Sequence, residues 1–191
     1  TTTEIFMTTK QSTVQVDLPT GEQLYETLRT GLQALITPLE RESVHLVGIH
    51  SGGAWLAQRL HDDLGLSGAC GLLDISLYRD DFDQIGLHTQ VMPTQIDFPV
   101  AGKHLILVDD VLYTGRTIRA AMNELFDHGR PASIKLVVLI DRGGRQLPIS
   151  ADFTALTVDI PLHENLVLQR NKVGVFALHL ENGDATCVTH N

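Results

Sequence analysis

Leu105–Thr117 reads LILVDDVLYTGRT, and its character changes three times within thirteen residues. His104 opens an apolar run through Val108 with the length and β-branched content of a buried strand. Asp109 and Asp110 follow at the expected carboxyl end of that strand, where two adjacent carboxylates are costly to bury without partners. Thr114, Gly115 and Thr117 then form a short polar loop, and Ile118, Ala121, Met122, Leu125 and Phe126 mark one face of a helix closed by Gly129 and Pro131. Backbone N–H groups of such a loop, with the helix N-terminus behind them, make an anion cradle. Gly115 allows close backbone approach, and the threonine hydroxyls add donors. Carboxylates at one end and a cradle at the other suit a ribose 5-phosphate, whose vicinal hydroxyls need acceptors and whose phosphate needs donors. The plainer alternative is an acidic helix cap followed by a polar turn. Two acids, a glycine-threonine loop and a new helix in so short a span favour the functional reading.

Upstream, Leu24, Leu28, Leu32, Leu35, Ile36 and Leu39 recur at helical spacing, which predicts an amphipathic helix ending near Pro38. Val44–Ile49 reads as a buried strand, Ser51-Gly52-Gly53 as the loop after it, Trp55 to Leu64 as a helix, and Leu72–Tyr78 as another strand. From Arg79 to Val100 the periodicity is lost, and a loop of that length is usually functional. Downstream, Ile134–Ile140 reads as a strand and Arg142-Gly143-Gly144-Arg145 with Pro148 as a turn-rich loop. Asn182-Gly183 is expected to turn a hairpin between Val175–Leu180 and Ala185–Val188. Alternating strands and helices imply βαβ units, hence an α/β fold with a mainly parallel central sheet flanked by helices. Ligands of such sheets bind at the carboxyl ends of the strands.

The 191 residues suit a single domain spanning 1–191, with residues 1–14 as a flexible tail and residues 81–98 as a mobile lid loop. The net charge of −9 argues against general polyanion binding. No apolar run is long enough to cross a bilayer, and the polar N-terminus lacks the apolar core of a signal peptide, so a cytoplasmic location is expected. The two cysteines, Cys70 and Cys187, are expected to be reduced thiols, with one disulfide as the alternative. The nine histidines show no zinc-binding spacing. No dedicated metal site is therefore expected, and any metal should be Mg²⁺ held mainly by substrate oxygens.

Three segments carry a resemblance: LYRDDF at Leu77–Phe82, DDVLYTGRTIRAAMNELFDHGRPASI at Asp109–Ile134, and DRGGRQLPISAD at Asp141–Asp152. Together they resemble the PyrR family within the type I phosphoribosyltransferases. The likeness runs from about Val44 to Gln169 and is most specific over Asp109–Pro131. It implies the type I phosphoribosyltransferase fold, with a small hood or hairpin region. It also implies a uracil phosphoribosyltransferase that converts uracil and 5-phosphoribosyl-1-pyrophosphate (PRPP) to UMP and pyrophosphate with Mg²⁺. Some members regulate pyrimidine genes by binding RNA, so a UMP-sensing RNA-binding regulator is the alternative. A homodimer or higher homo-oligomer is implied as well.

Residue by residue, the resemblance implies that Asp109 and Asp110 hold the ribose hydroxyls. Thr114, Gly115, Arg116 and Thr117 would cradle the 5′-phosphate, with Val111, Leu112 and Tyr113 completing the PRPP-binding loop. His50, Ser51, Gly52 and Gly53 would contact pyrophosphate through backbone amides, with Arg79 closing over it. Asp141, Arg142 and Ile160, with the segment up to Gln169, would shape the uracil pocket. Arg142, Arg145, Arg170 and Lys172 form the set from which an RNA-binding patch could be built. One departure matters. Many Gram-positive members carry Lys-Thr-Arg-Gly where this chain has His50-Ser51-Gly52-Gly53. Two positive charges are missing there, and a glycine pair able to form an anion nest remains.

Overall fold

The computed structural model describes residues 19–75, 93–161 and 164–182. Helix α1 spans Gly21–Ile36 and opens with a capping box. Gln23 N donates to Thr20 Oγ1 at 3.2 Å, and Thr20 N donates to Gln23 Oε1 at 2.9 Å. Of the predicted stripe, Leu24, Leu28, Leu32 and Ile36 are buried and Leu35 and Leu39 partly so, while Tyr25 joins the buried face. A 3₁₀ turn (Arg41–Ser43) leads to β1 (Val44–Ile49), α2 (Gly52–Asp63) and β2 (Gly71–Leu73). Then come β3 (His104–Leu112), α3 (Arg116–Asp127), β4 (Ser133–Asp141) and β5 (Phe153–Thr157), followed by β6 (Glu164–Arg170) and β7 (Phe176–Asn182).

The first five strands form one sheet in the order β2-β1-β3-β4-β5, every neighbouring pair parallel. Strand alternation sends Ile106 and Val108 into one core, with α1, α2 and the hairpin β6–β7. Leu105 and Leu107 enter the other core, with Ile118, Ala121 and Leu125 of α3. From β1 the chain steps outward to β2 and then returns to the other side of β1 as β3. The carboxyl ends of β1 and β3 therefore flank a topological switch point, where a crevice opens in sheets of this kind. None of the helices among the described residues is long and apolar enough to cross a membrane.

Several elements differ from the sequence-based expectations. Strand β3 does not stop at Val108 but runs to Leu112, because the equally long β4 continues the ladder: Asp109 pairs with Val138, Val111 with Ile140 and Leu112 with Asp141. Both aspartates are thus held by strand backbone. Strand β2 is shorter than Leu72–Tyr78 and ends at Leu73, with residues 76–92 outside the described residues. Helix α2 starts three residues earlier than expected, at Gly52.

A hairpin, β6–β7, lies upstream of the one expected at Asn182-Gly183, whose second strand falls outside the described residues. Val175–Leu180 lies largely in β7, which pairs antiparallel with β6, Leu166 opposite Leu180 and Arg170 opposite Phe176. The turn is held by Asn171, whose Oδ1 accepts from Val173 N at 3.0 Å and Val175 N at 2.9 Å. Gly183 and Ala185–Val188 lie outside the described residues. So do the predicted tail at 1–14, Cys187, and residues 81–92 of the predicted lid. Residues 93–98 are fastened to the sheet. Gln95 and Leu72 exchange two backbone hydrogen bonds of 2.8 Å, and Phe98 stacks on His45 with ring centroids 4.1 Å apart.

Candidate active site

At the switch point lies a cleft of about 810 Å³. Its floor is Asp109, Asp110, Val111 and Leu112 of β3. One end is the loop Tyr113, Thr114 and Gly115 with Arg116, Thr117 and Ile118 at the start of α3. Opposite stand Ser51, Gly52 and Trp55 of the β1–α2 junction. The far wall is Arg142, Gln146, and hairpin residues including Asn165, Leu168 and Glu181.

The two aspartates differ in setting. Asp109 is almost fully buried, and its Oδ1 accepts from Asp110 N at 3.0 Å. Asp110 is half-buried, and its Oδ1 accepts from Val111 N at 3.0 Å. Gly52 explains how Asp110 fits: a β-carbon there would lie 2.2 Å from Asp110 Oδ2. Gly53 has a structural duty, since a β-carbon on it would lie 2.4 Å from the carbonyl oxygen of Val108 in β3. The glycine pair thus lets α2 begin directly against the strand that carries the acids. His50 continues the strand, its N donating to Leu73 O at 2.9 Å, and the His50–Ser51 peptide is cis. His50 and Gly53 support the junction from outside the cleft lining.

Gly115, the N-cap of α3, sits at φ 90°, and a β-carbon there would also meet Ile149 at 3.0 Å. Only glycine fits both constraints. The loop is braced from the β4–β5 connection. Gln146 N and Leu147 N donate to Thr114 O at 3.0 and 3.2 Å, and Arg116 Nε donates to Gln146 Oε1 at 2.9 Å. Arg145 donates to Tyr113 O at 2.6 Å and Ile149 O at 2.9 Å and forms a close ion pair with Asp141. The loop is thus held from outside by backbone and side-chain hydrogen bonds, and the N-terminus of the twelve-residue helix α3 stands behind it.

Of the residues expected to shape a base pocket, Arg142 lines the cleft, and so do Asn165, Leu166, Val167 and Leu168 from the segment up to Gln169; Asp141 and Ile160 do not. Arg142 is 6% exposed, its guanidinium carbon lies 4.4 Å from the Tyr113 ring centroid, and it donates to Asn165 Oδ1 at 3.2 Å and Pro161 O at 3.3 Å. Asp141 is spent on its own turn, pairing with Arg145 and accepting from Gly143 N at 2.9 Å. Ile160 is buried in the α1–α2 core. Arg79 lies outside the described residues. Trp55, Gln146 and Glu181 join the cleft without having been singled out. They stand on three different elements, and only the register of the hairpin and the path of the β4–β5 loop bring them together.

A family model described as the phosphoribosyl transferase domain matches residues 20–167. A hypoxanthine-guanine phosphoribosyltransferase structure from Bacillus anthracis aligns with a TM-score of 0.58 at 20% identity, covering 74% of this chain and 81% of that one. A hypoxanthine phosphoribosyltransferase from Trypanosoma cruzi aligns at 0.59 and 22%, covering 78% and 80%. At these identities the likeness shows the fold alone. Fold and domain together define a type I phosphoribosyltransferase, an enzyme class. Closer in sequence are two proteins called bifunctional protein PyrR. That of Nitrosococcus oceani is 50% identical over 149 residues, 77% of this chain and 84% of the relative. That of Pseudomonas aeruginosa is 46% identical over 166 residues, 87% and 95%. The chain belongs to the PyrR family.

Proposed function

We propose that this protein transfers the phosphoribosyl group of PRPP to uracil. The carrying observation is one cleft that brings the Asp110 carboxylate against Gly52 at one end and holds the braced loop Thr114–Thr117 at the other. That spacing of acceptors and donors suits a ribose 5-phosphate with pyrophosphate at its anomeric carbon, and the volume lies within the range of about 300–1,000 Å³ usual for ligand pockets. In the reaction the bond between uracil N1 and the anomeric carbon forms as the bond from that carbon to pyrophosphate oxygen breaks. The electron pair leaves with pyrophosphate, and the N1 proton is released.

Asp109 and Asp110 accept the ribose hydroxyls and oppose the positive character that grows on the ring. The loop and the start of α3 fix the 5′-phosphate, so that the anomeric carbon is presented in one orientation. Backbone amides near Ser51 and Gly52 meet the departing pyrophosphate. Mg²⁺ fits the donor set: Asp109 and Asp110 offer carboxylate oxygens, and no histidine or cysteine is among the described residues lining the cleft. When bound, the ion would neutralise charge on the leaving group.

The test is UMP formation from uracil and PRPP, with and without Mg²⁺. Magnesium-dependent turnover is expected, and absence of UMP at any Mg²⁺ concentration overturns the reading. The relatives' description as bifunctional favours a second activity, and RNA binding governed by UMP is the second reading. Arg142 is buried and Arg145 is engaged with Tyr113 O and Asp141, so an RNA patch would rest on the exposed Arg170 and Lys172 and on residues not described. Filter binding to the organism's own pyrimidine-operon leader decides it: steep salt dependence supports the second reading, and no retention removes it.

A further inference from the structure

The far wall of the cleft carries a hydrogen-bonding pattern whose direction is fixed by chemistry. Arg142 has only donors to offer. Its contact with Asn165, Nη1 to Oδ1 at 3.2 Å, therefore settles which way the Asn165 amide faces: the oxygen is turned to Arg142, and the NH₂ is the free end. Arg142 cannot easily yield this position. It is buried, lies against the Tyr113 ring, and is tied by a second bond to Pro161 O at 3.3 Å. Directly across the β6–β7 ladder from Asn165 stands Glu181, so the two side chains share a face, and both line the cleft. The wall thus shows a fixed donor beside an acceptor that cannot donate when ionised.

We infer that Asn165 and Glu181 read the base, with Arg142 as the residue that positions Asn165, and that they select a lactam edge, a ring carbonyl next to a ring N–H. Asn165 NH₂ donates to the carbonyl, and the Glu181 carboxylate accepts from the N–H. Uracil presents this edge at its C4 carbonyl and N3–H. Cytosine presents the reverse, an amino group beside a bare ring nitrogen, and would set donor against donor and acceptor against acceptor. The inference deepens the phosphoribosyl-transfer reading and rests on it for the identity of the site.

The test compares uracil with cytosine in kcat/KM, and UMP with CMP in calorimetric affinity, for the full chain and for Asn165→Asp and Asn165→Ala. Asn165→Asp keeps the shape and the bond from Arg142 but replaces the free donor by an acceptor. The uracil-to-cytosine ratio is expected to fall about 100-fold, with KM for PRPP within about threefold of wild type. Asn165→Ala is expected to carry the ratio toward parity. An unchanged ratio in both variants overturns the inference, and so does a wild-type preference for cytosine or CMP. If the wild type makes no nucleotide from any base, the transfer reading fails. The inference is then judged on binding alone: UMP held tighter than CMP, with the preference lost in Asn165→Asp, supports it, and equal affinities overturn it. If the wild type uses hypoxanthine or guanine and not uracil, the uracil assignment falls while the lactam-edge reading stands.

Discussion

Gly52→Ala should separate activity from folding. The added methyl would lie 2.2 Å from Asp110 Oδ2 and 2.5 Å from its Cγ, whereas ordinary contact begins at 3.4 Å. The carboxylate must retreat by the difference between 2.2 and 3.4 Å, about 1.2 Å, and doing so strains the bond its Oδ1 accepts from Val111 N. Such a displacement of a positioning group costs about 100-fold in rate, or about 2.7 kcal/mol of transition-state stabilisation. The fold should tolerate the change. The clash falls on the Asp110 side chain, down to its Cβ at 2.9 Å, and not on backbone, and alanine in a helix gains roughly 0.5–1 kcal/mol over glycine. The assay is steady-state kcat/KM for PRPP, with thermal melting alongside. The expected pattern is a rate loss near 100-fold at an almost unchanged melting temperature. Activity within about threefold of wild type, in a folded variant, would show that the placement of Asp110 does not matter and would refute the site geometry.

Gly53→Ala should do the opposite. Its methyl would meet backbone, the Val108 carbonyl oxygen at 2.4 Å and Asp109 Cα at 2.9 Å, so α2 and β3 must part. A stability loss of roughly 1–3 kcal/mol is expected in urea unfolding. Glu22→Gln probes the contact between α1 and α2. Arg59 grips the Glu22 carboxylate at 2.8 and 2.9 Å, and Phe176 N adds a bond of 2.7 Å, so chiefly Arg59 holds the carboxyl below its ordinary value of 4.5, against desolvation. A depressed carboxyl stabilises the fold above its unfolded pKa, and that contribution is lost as pH falls through the folded value. The variant should be less stable than wild type near neutrality, and the gap should close below pH 4.5. Urea midpoints at about pH 7 and about pH 3.5 check this.

How far the sequence could be read depended on how local each feature is. Asp109 through Thr117 is strand, loop and helix start in one contiguous run, and apolar periodicity with turn chemistry located it. The end of β3 was misplaced because apolarity stops at Val108 while the backbone ladder with β4 does not. The far wall was harder. The β6–β7 hairpin turns at Asn171–Val175, where a side-chain oxygen takes two backbone N–H groups and no Asn-Gly pair marks the turn in the sequence. That register decides that Asn165 and Glu181 face each other. Arg142 and Arg145 look alike in a glycine-rich turn. Only the tertiary structure buries one against Tyr113 and uses the other to brace the loop after β3. Burial pushes the Cys70 thiol up to about 12.

The most direct measurement is calorimetric titration of PRPP, with Mg²⁺, into the full chain and into Asp110→Asn. Saturable binding of one PRPP per chain is expected, weakened at least about tenfold in the variant at an unchanged melting temperature. No binding to the wild-type chain, or equal binding by both proteins, would contradict the assignment of the cleft between Gly52 and Thr117 to PRPP.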